Sequence, residues 1–373
     1  MDFVVCRVNA ARKQCELLDQ MRKLLLPSAT LLNVPKAQNL ALSCRQFVAP
    51  LSTDIKSRGR NFGEKYLRKE TIAFNFKGND FQLPSVIQDT DPSGSSLGTV
   101  IAVHGSPGSH NDFKYVAPLL QDKGIRFIGV NFPGYGLTDG DSRLDQDNME
   151  RVSYVQAICK QLNLDKNLIF MGHSRGTENA LKMAALNPDK TIGLVQVNFM
   201  GTRIHKGIKP TWVLTLVAYL WDLGWPRAFL RPLLYTFYNR VVNLKVKSGD
   251  EAFWSLTAMR YQKVELPTQK DYVEMLNKNA VKSCWLYSGK DHLVEAEICE
   301  ELVSLIDGNK HFEYESKADE REIRKTICKE IESGTRSVAV YIKEDDHFMQ
   351  KHRAEVLADA VESIIKSHGS TRT

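Results

Sequence analysis

The sequence lacks any apolar run near the ~18 residues that a membrane-crossing helix needs; its richest stretch, residues 212–221, is far shorter. It has no C-x-x-C pair. Its seven cysteines are scattered and odd in number, and no secretory signal pattern precedes them. They read as thiols in a reducing compartment, which excludes a disulfide framework and a zinc site. Repeats and low-complexity tracts are absent. So is negative charge over one long stretch: from residue 21 to residue 53 there is no Asp or Glu. Residues 1–69 hold 13 Lys/Arg against 5 Asp/Glu, while the rest holds 37 against 39. The overall +6 is therefore an N-terminal property. A nucleic-acid footprint would place the basic excess on the folded part, so no nucleic-acid partner is expected.

What is present is an alternation of strand and helix patterns. Residues 71–76 and 81–88 alternate apolar and polar positions and open the fold as paired strands. Short apolar runs at 99–103, 125–130, 168–171, 191–197 and 284–287 read as buried strands, and 337–342 as the last strand. Helical spacing marks 149–162, 177–186, 294–306 and 354–365, and the highly charged 317–333 reads as an exposed helix. This order implies an α/β fold: a mostly parallel central sheet with helices on both faces. Over 201–280 the rhythm breaks. Two apolar, aromatic segments flank Gly224-Trp225-Pro226, which suggests an inserted helical cap with Trp212, Trp225 and Trp254 in its core. The expected division is a basic extension at 1–60, a catalytic domain at 61–200 and 281–373, and the cap at 201–280. The acid-free N-terminal composition suits a mitochondrial transit peptide with a processing region near Arg45. Asp2, Glu16 and Asp19 suit a cytoplasmic arm instead, and both locations stay open.

The chemistry concentrates at Gly172-His173-Ser174-Arg175-Gly176, a G-x-S-x-G pattern between an apolar run and a helical one. A strand that bends into a helix within a few residues packs backbone on backbone, so Gly172 and Gly176 leave room where side chains would collide. Ser174 is left at the tip, and the Arg175 N–H, at a helix start, can face an oxyanion. A serine needs a base, and the base an orienting carboxylate. Asp291 and His347 follow in the order Ser…Asp…His, each just past a predicted strand. Glu295 is the alternative acid; Asp345, Asp346 and Asp139 read as solvated or turn residues. His292, His352 and His311 are the other histidines weighed as base. His104 and His173 read as structural.

From about residue 70 to the end, the chain resembles the α/β-hydrolase superfamily. The matches are His104-Gly105-x-Pro107, Phe132-Pro-Gly134-Tyr-Gly136, the elbow, Gly289-x-Asp291 and His347-Phe348 before a helix. The resemblance implies that Ser106, after His104-Gly105, lends its N–H to the oxyanion hole beside Arg175. It also implies acyl transfer to water, because epoxide hydrolases and haloalkane dehalogenases carry Asp where this chain has Ser174. Two departures stand out: Thr177 replaces a second glycine after the elbow, and Asp346 precedes the base. The Arg175 side chain either holds a substrate carboxylate or pairs with Glu178 behind the turn.

The expectation is a serine hydrolase cleaving an ester-like bond without metal or organic cofactor. Carbon–carbon bond hydrolysis, thioesterase or peptidase action on the same triad, and a non-catalytic binding role, remain as alternatives. The expected partner is a small apolar acyl substrate in an apolar pocket, with weak membrane-surface association of the cap left open and no obligate protein partner.

Overall fold

Among the described residues, 53–279 and 281–370, the computed structural model forms one sheet of nine strands. These are β1 (Leu67–Phe76), β2 (Asn79–Asp89), β3 (Thr99–Val103), β4 (Arg126–Gly129), β5 (Leu168–His173), β6 (Thr191–Val197), β7 (Lys282–Ser288), β8 (Asn309–Tyr314) and β9 (Ser337–Ile342). They lie in the order β1-β2-β4-β3-β5-β6-β7-β9-β8. β2 pairs antiparallel with β1 and with β4, and every other pairing is parallel.

The apolar runs are continuous because both faces of these strands are covered. Ile101, Val103, Leu168, Phe170, Leu194 and Trp285 point into one buried cluster, with helices Asn148–Gln161 and Gly176–Leu186 over it. Val100, Ala102, Ile169, Met171, Val195 and Cys284 point into the other, under helices Glu320–Glu332 and Ala354–Ser370. Since β3, β5, β6, β7 and β9 run the same way, their carboxyl ends share one edge, where α/β sheets place binding groups.

Several expectations need correction. The boundary at 60 falls inside a helix, Thr53–Phe62, whose Ile55 and Phe62 are buried in the second cluster. The transit-peptide expectation lies outside the described residues. The charged 317–333 segment is not simply a solvated face. Ile323, Ile327 and Ile331, four residues apart, are fully buried, so the helix seals one face of the sheet. β8 was not expected. Its sequence, NKHFEY, is polar and at most half-buried, because it is an edge strand paired on one side only.

Between β6 and β7 lie helices Thr211–Asp222, Arg227–Phe237, Gly249–Glu265 and Gln269–Asn279. The last buries Val273 and Leu276 in the sheet's own core, so it belongs with the sheet and not with the expected cap. The first three share a separate core, in which the Trp221 and Phe253 rings stack at 3.9 Å. Trp212 and Trp225 are not in that core; they are 46% and 74% exposed. Trp254 is half-buried and packs against it.

Candidate active site

At the end of β5, Ser174 takes the turn with φ 53°, the left-handed region that L-residues avoid. The turn is held on both sides. The Ser174 N–H donates to the Val197 carbonyl at 3.0 Å, and the Ser174 carbonyl accepts from the Thr177 N–H at 2.9 Å and the Thr177 hydroxyl at 2.6 Å. Thr177, a departure from the family pattern, therefore braces the elbow. The glycines act as expected. A Cβ on Gly172 would sit 2.6 Å from the Thr177 Cα, and one on Gly176 2.2 Å from the Val103 carbonyl oxygen. Backbone cannot yield as a side chain tip can. Gly176→Ala is expected to lower the unfolding free energy by about 3 kcal/mol, read by denaturant titration; an unchanged midpoint would contradict this packing.

The other two candidates converge on this serine. His347, beyond β9, lies 2.9 Å from Ser174 Oγ through Nε2, and its Nδ1 lies 2.7 Å from Asp291 Oδ2. A carboxylate oxygen only accepts, so Nδ1 carries the proton and Nε2 is free to accept from the serine. Asp291, beyond β7, is itself fixed: Oδ1 accepts from the N–H groups of Leu293 at 2.8 Å and Val294 at 3.0 Å. Burial pushes the Asp291 carboxyl up. The His347 ring and these N–H groups outweigh burial and hold it down at about 2. Glu295 instead accepts from the Lys206 N–H at 2.9 Å, Asp345 pairs with Arg353 at 2.6 Å, and Asp139 is exposed. His292 stands 5.8 Å from the His347 ring, His352 pairs with Asp346 at 3.7 Å, and His311 meets the Tyr287 hydroxyl at 2.7 Å. None of these replaces His347.

β3 runs beside β5 with Val103 opposite Gly172, which brings His104, Gly105 and Ser106 to the elbow. His104 is locked neutral. Its Nδ1 donates to the Gly105 carbonyl at 2.7 Å, and its Nε2 accepts from the Phe132 N–H at 3.1 Å. Burial pulls its pKa down to about 4. His173, also buried, donates from Nε2 to the His347 carbonyl at 2.9 Å, fixing the backbone that carries the base. Gly105 presses against Ser174: a Cβ there would lie 3.0 Å from the serine Cβ. The backbone N–H groups of Ser106 and Arg175 meet no acceptor among the described residues, and both residues line a small niche with Ser174.

The Arg175 side chain turns away from the cavity. It bonds Glu178 and Glu265, each at 2.7 Å, and the Asn148 amide oxygen at 2.9 Å. It does not hold a substrate carboxylate. Glu178 is completely buried, and Gln262 and Asn148 also donate to it at 2.6 and 2.7 Å. Burial alone would raise its pKa, yet Arg175 and Lys182 keep it lowered and charged. Arg175→Met is expected to cost about 3–5 kcal/mol by stranding that carboxylate. Thermal denaturation at neutral pH reads this out, and a wild-type midpoint would contradict it.

A cavity of about 590 Å³ opens on Ser174 and His347, within the size range of small-molecule sites. Its lining is mixed, apolar with a charged component. Lys245, Lys247, Lys351, Asp112 and Glu251 line it along with Leu244, Val246 and Phe348. The 243–247 segment supplies two of these lysines, because Leu244 and Val246 anchor it in the insertion's core while Lys245 and Lys247, between and after them, are exposed.

Residues 65–366 match the family model described as "Alpha/beta hydrolase of unknown function (DUF1057)". The chain belongs to this family. An uncharacterized protein of Caenorhabditis elegans is 32% identical over 288 residues, 74% of this chain and 80% of its own. A serine hydrolase-like protein of Dictyostelium discoideum is 31% identical over 103 residues, 27% of this chain and 28% of its own. Among solved structures, the haloalkane dehalogenase DatA of Agrobacterium tumefaciens aligns with TM-score 0.56 at 16% identity, covering 83% of this chain and 97% of that one. A thermophilic esterase of Thermogutta terrifontis aligns with TM-score 0.53 at 16% identity, covering 79% and 97%. At such identities these two share the α/β-hydrolase fold.

Two residues of this hydrolase escaped the sequence reading. Asn198, just past β6, donates to Ser288 Oγ at 2.7 Å, to the Asp346 carbonyl at 3.2 Å and to Asp291 Oδ2 at 3.3 Å. It ties the loops of acid and base together. Its only sequence signal was its place at the end of a strand. Tyr135, inside the second glycine loop, puts its hydroxyl 2.9 Å from Ser106 Oγ and so braces the oxyanion loop.

Proposed function

We propose that this α/β hydrolase cleaves an ester-like bond through a covalent acyl-enzyme on Ser174. Ser174 Oγ attacks the carbonyl carbon while His347 Nε2 takes its proton. Asp291 holds the resulting imidazolium in place. The N–H groups of Ser106 and Arg175 stabilise the oxyanion. His347 returns the proton to the departing alcohol, and the same base then activates water to release the acid. The observation that carries this reading is the unbroken Asp291–His347–Ser174 hydrogen-bonded chain. Serine in place of a carboxylate at the elbow favours acyl transfer over dehalogenation, although dehalogenases are among the proteins of similar fold. The three lysines of the cavity lining outnumber its two carboxylates, Asp112 and Glu251, which favours a polar substrate carrying negative charge over the apolar acyl chain first expected. The experiment is a panel of soluble esters, thioesters, amides and C–C substrates, with neutral and monoanionic members of each. Esters turned over by wild type, with the anionic members preferred, support the reading. Turnover confined to another bond class would overturn it.

A further inference from the structure

Nine of the sixteen strongly exposed large apolar side chains among the described residues fall between residues 212 and 241. Singly, such residues need no explanation; gathered together, they do. On the helix Arg227–Phe237, Leu230 and Leu234 are buried at a four-residue spacing, while Phe229, Leu233 and Phe237 repeat at the same spacing on an exposed stripe. The helix is apolar over two adjacent stripes, and the insertion's core uses only one. The preceding helix, Thr211–Asp222, likewise exposes Trp212 and Tyr219. The turn between the two helices carries Trp225, 74% exposed, close in sequence to Phe229, 73% exposed.

The charge around this surface says what covers it. Residues 203–247 contain eight Lys/Arg and one acidic residue, Asp222, and of these Arg203 and Lys209 pair with Glu301 and Glu295 from outside the stretch. The aromatic run 212–221 has no basic residue of its own, so its local pattern alone carries little sign of membrane association. The next helix and the segment after it add Arg240, Lys245 and Lys247, all exposed, whereas the Arg227 and Arg231 guanidinium groups lie over the buried Trp221 ring at 5.7 and 5.4 Å. Arg231 also pairs with Asp250 at 2.9 Å. A second copy of the same surface would bring like charges together, which opposes association. An anionic bilayer offers the complement: headgroups for the cations, and an interface in which Trp, Tyr and Phe rings rest. No helix of the described residues is long and apolar enough to cross a membrane. The chain beyond these helices continues into residues 243–247, which line the cavity at Ser174.

We infer that the outer face of helices Thr211–Asp222 and Arg227–Phe237, with Trp225 at the tip, docks on the surface of an anionic lipid bilayer. The test uses the full chain and phosphatidylcholine vesicles with and without phosphatidylserine, read by co-sedimentation. At least about ten-fold more protein is expected with the anionic vesicles. Trp225→Ser/Phe229→Ser is expected to lose about ten-fold in bound fraction, with Arg240→Ala losing less. Both variants are expected to keep the wild-type thermal midpoint, because these side chains are exposed. Sedimentation with neither vesicle, equal sedimentation with both, or wild-type binding by the double variant would overturn the inference. So would a chain that elutes as a dimer in solution and becomes monomeric in the double variant, since the face would then belong to a second copy. Binding is read without turnover, so its failure is separate from failure of the proposed chemistry.

Discussion

Ser174→Ala is expected to lower kcat/KM on a soluble ester by about 10³–10⁶-fold while leaving the fold intact. The size follows from the geometry. In the proposed mechanism the Ser174 hydroxyl is the group that attacks the carbonyl, and a methyl has no lone pair to offer it. The residual rate expected is what the Ser106 and Arg175 N–H groups would give to direct attack by water. Removing Oγ also removes a single hydrogen bond, to His347 at 2.9 Å, and the positive φ stays as strained as before. The thermal midpoint should therefore move little. A variant that keeps more than a tenth of the wild-type rate would place the chemistry elsewhere.

Asp291→Asn has the second-largest expected effect, about 10³–10⁴-fold in kcat. A carboxylate only accepts, which forces the proton of His347 onto Nδ1. An amide can donate through its NH₂ group, which turns the imidazole to the tautomer with Nε2–H. That nitrogen can no longer take the serine proton. The same substitution tests the electrostatics. The Asp291 carboxyl is depressed from 3.8 to about 2 in the folded protein. A depressed acid stabilises the fold above its unfolded pKa and loses that contribution as pH falls through the folded value. The carboxylate thus contributes about 2 kcal/mol at neutral pH. This contribution is complete above about pH 4–5 and fades toward pH 2. Denaturant titrations of wild type and variant should differ most near neutrality and converge as pH approaches 2. A gap independent of pH would mean that the depression has another source.

These two residues, with His347, were legible in the sequence because each sits where a local pattern ends. Ser174 lies between an apolar strand and a helix, and Asp291 and His347 come just past strand runs. The core strands were legible for the same reason: burial on both faces leaves a continuous apolar run, as in β3 and β5. What was not legible depended on partners far away in the chain. Arg175 sits 90 residues from Glu265, and nothing local distinguishes pairing with it from binding a substrate anion. β8 hid because an edge strand need bury little, so its polar sequence reads as a loop. The charged part of the cavity lining is not legible either, because the aromatic content of 201–280 says nothing of which segment reaches the cavity. In the fold those aromatics pack on one another or face outward, and the short 243–247 segment brings Lys245 and Lys247 to the mouth instead. Patterns of apolar spacing report burial, not which loop crosses which edge.

The most direct measurement of the central claim is active-site labelling with a fluorophosphonate, read by mass spectrometry of the labelled peptide. The account predicts rapid, stoichiometric modification at Ser174, lost in Ser174→Ala and slowed by several orders of magnitude in His347→Ala. No modification of the folded wild-type protein, or modification that persists at the same rate without His347, would contradict it.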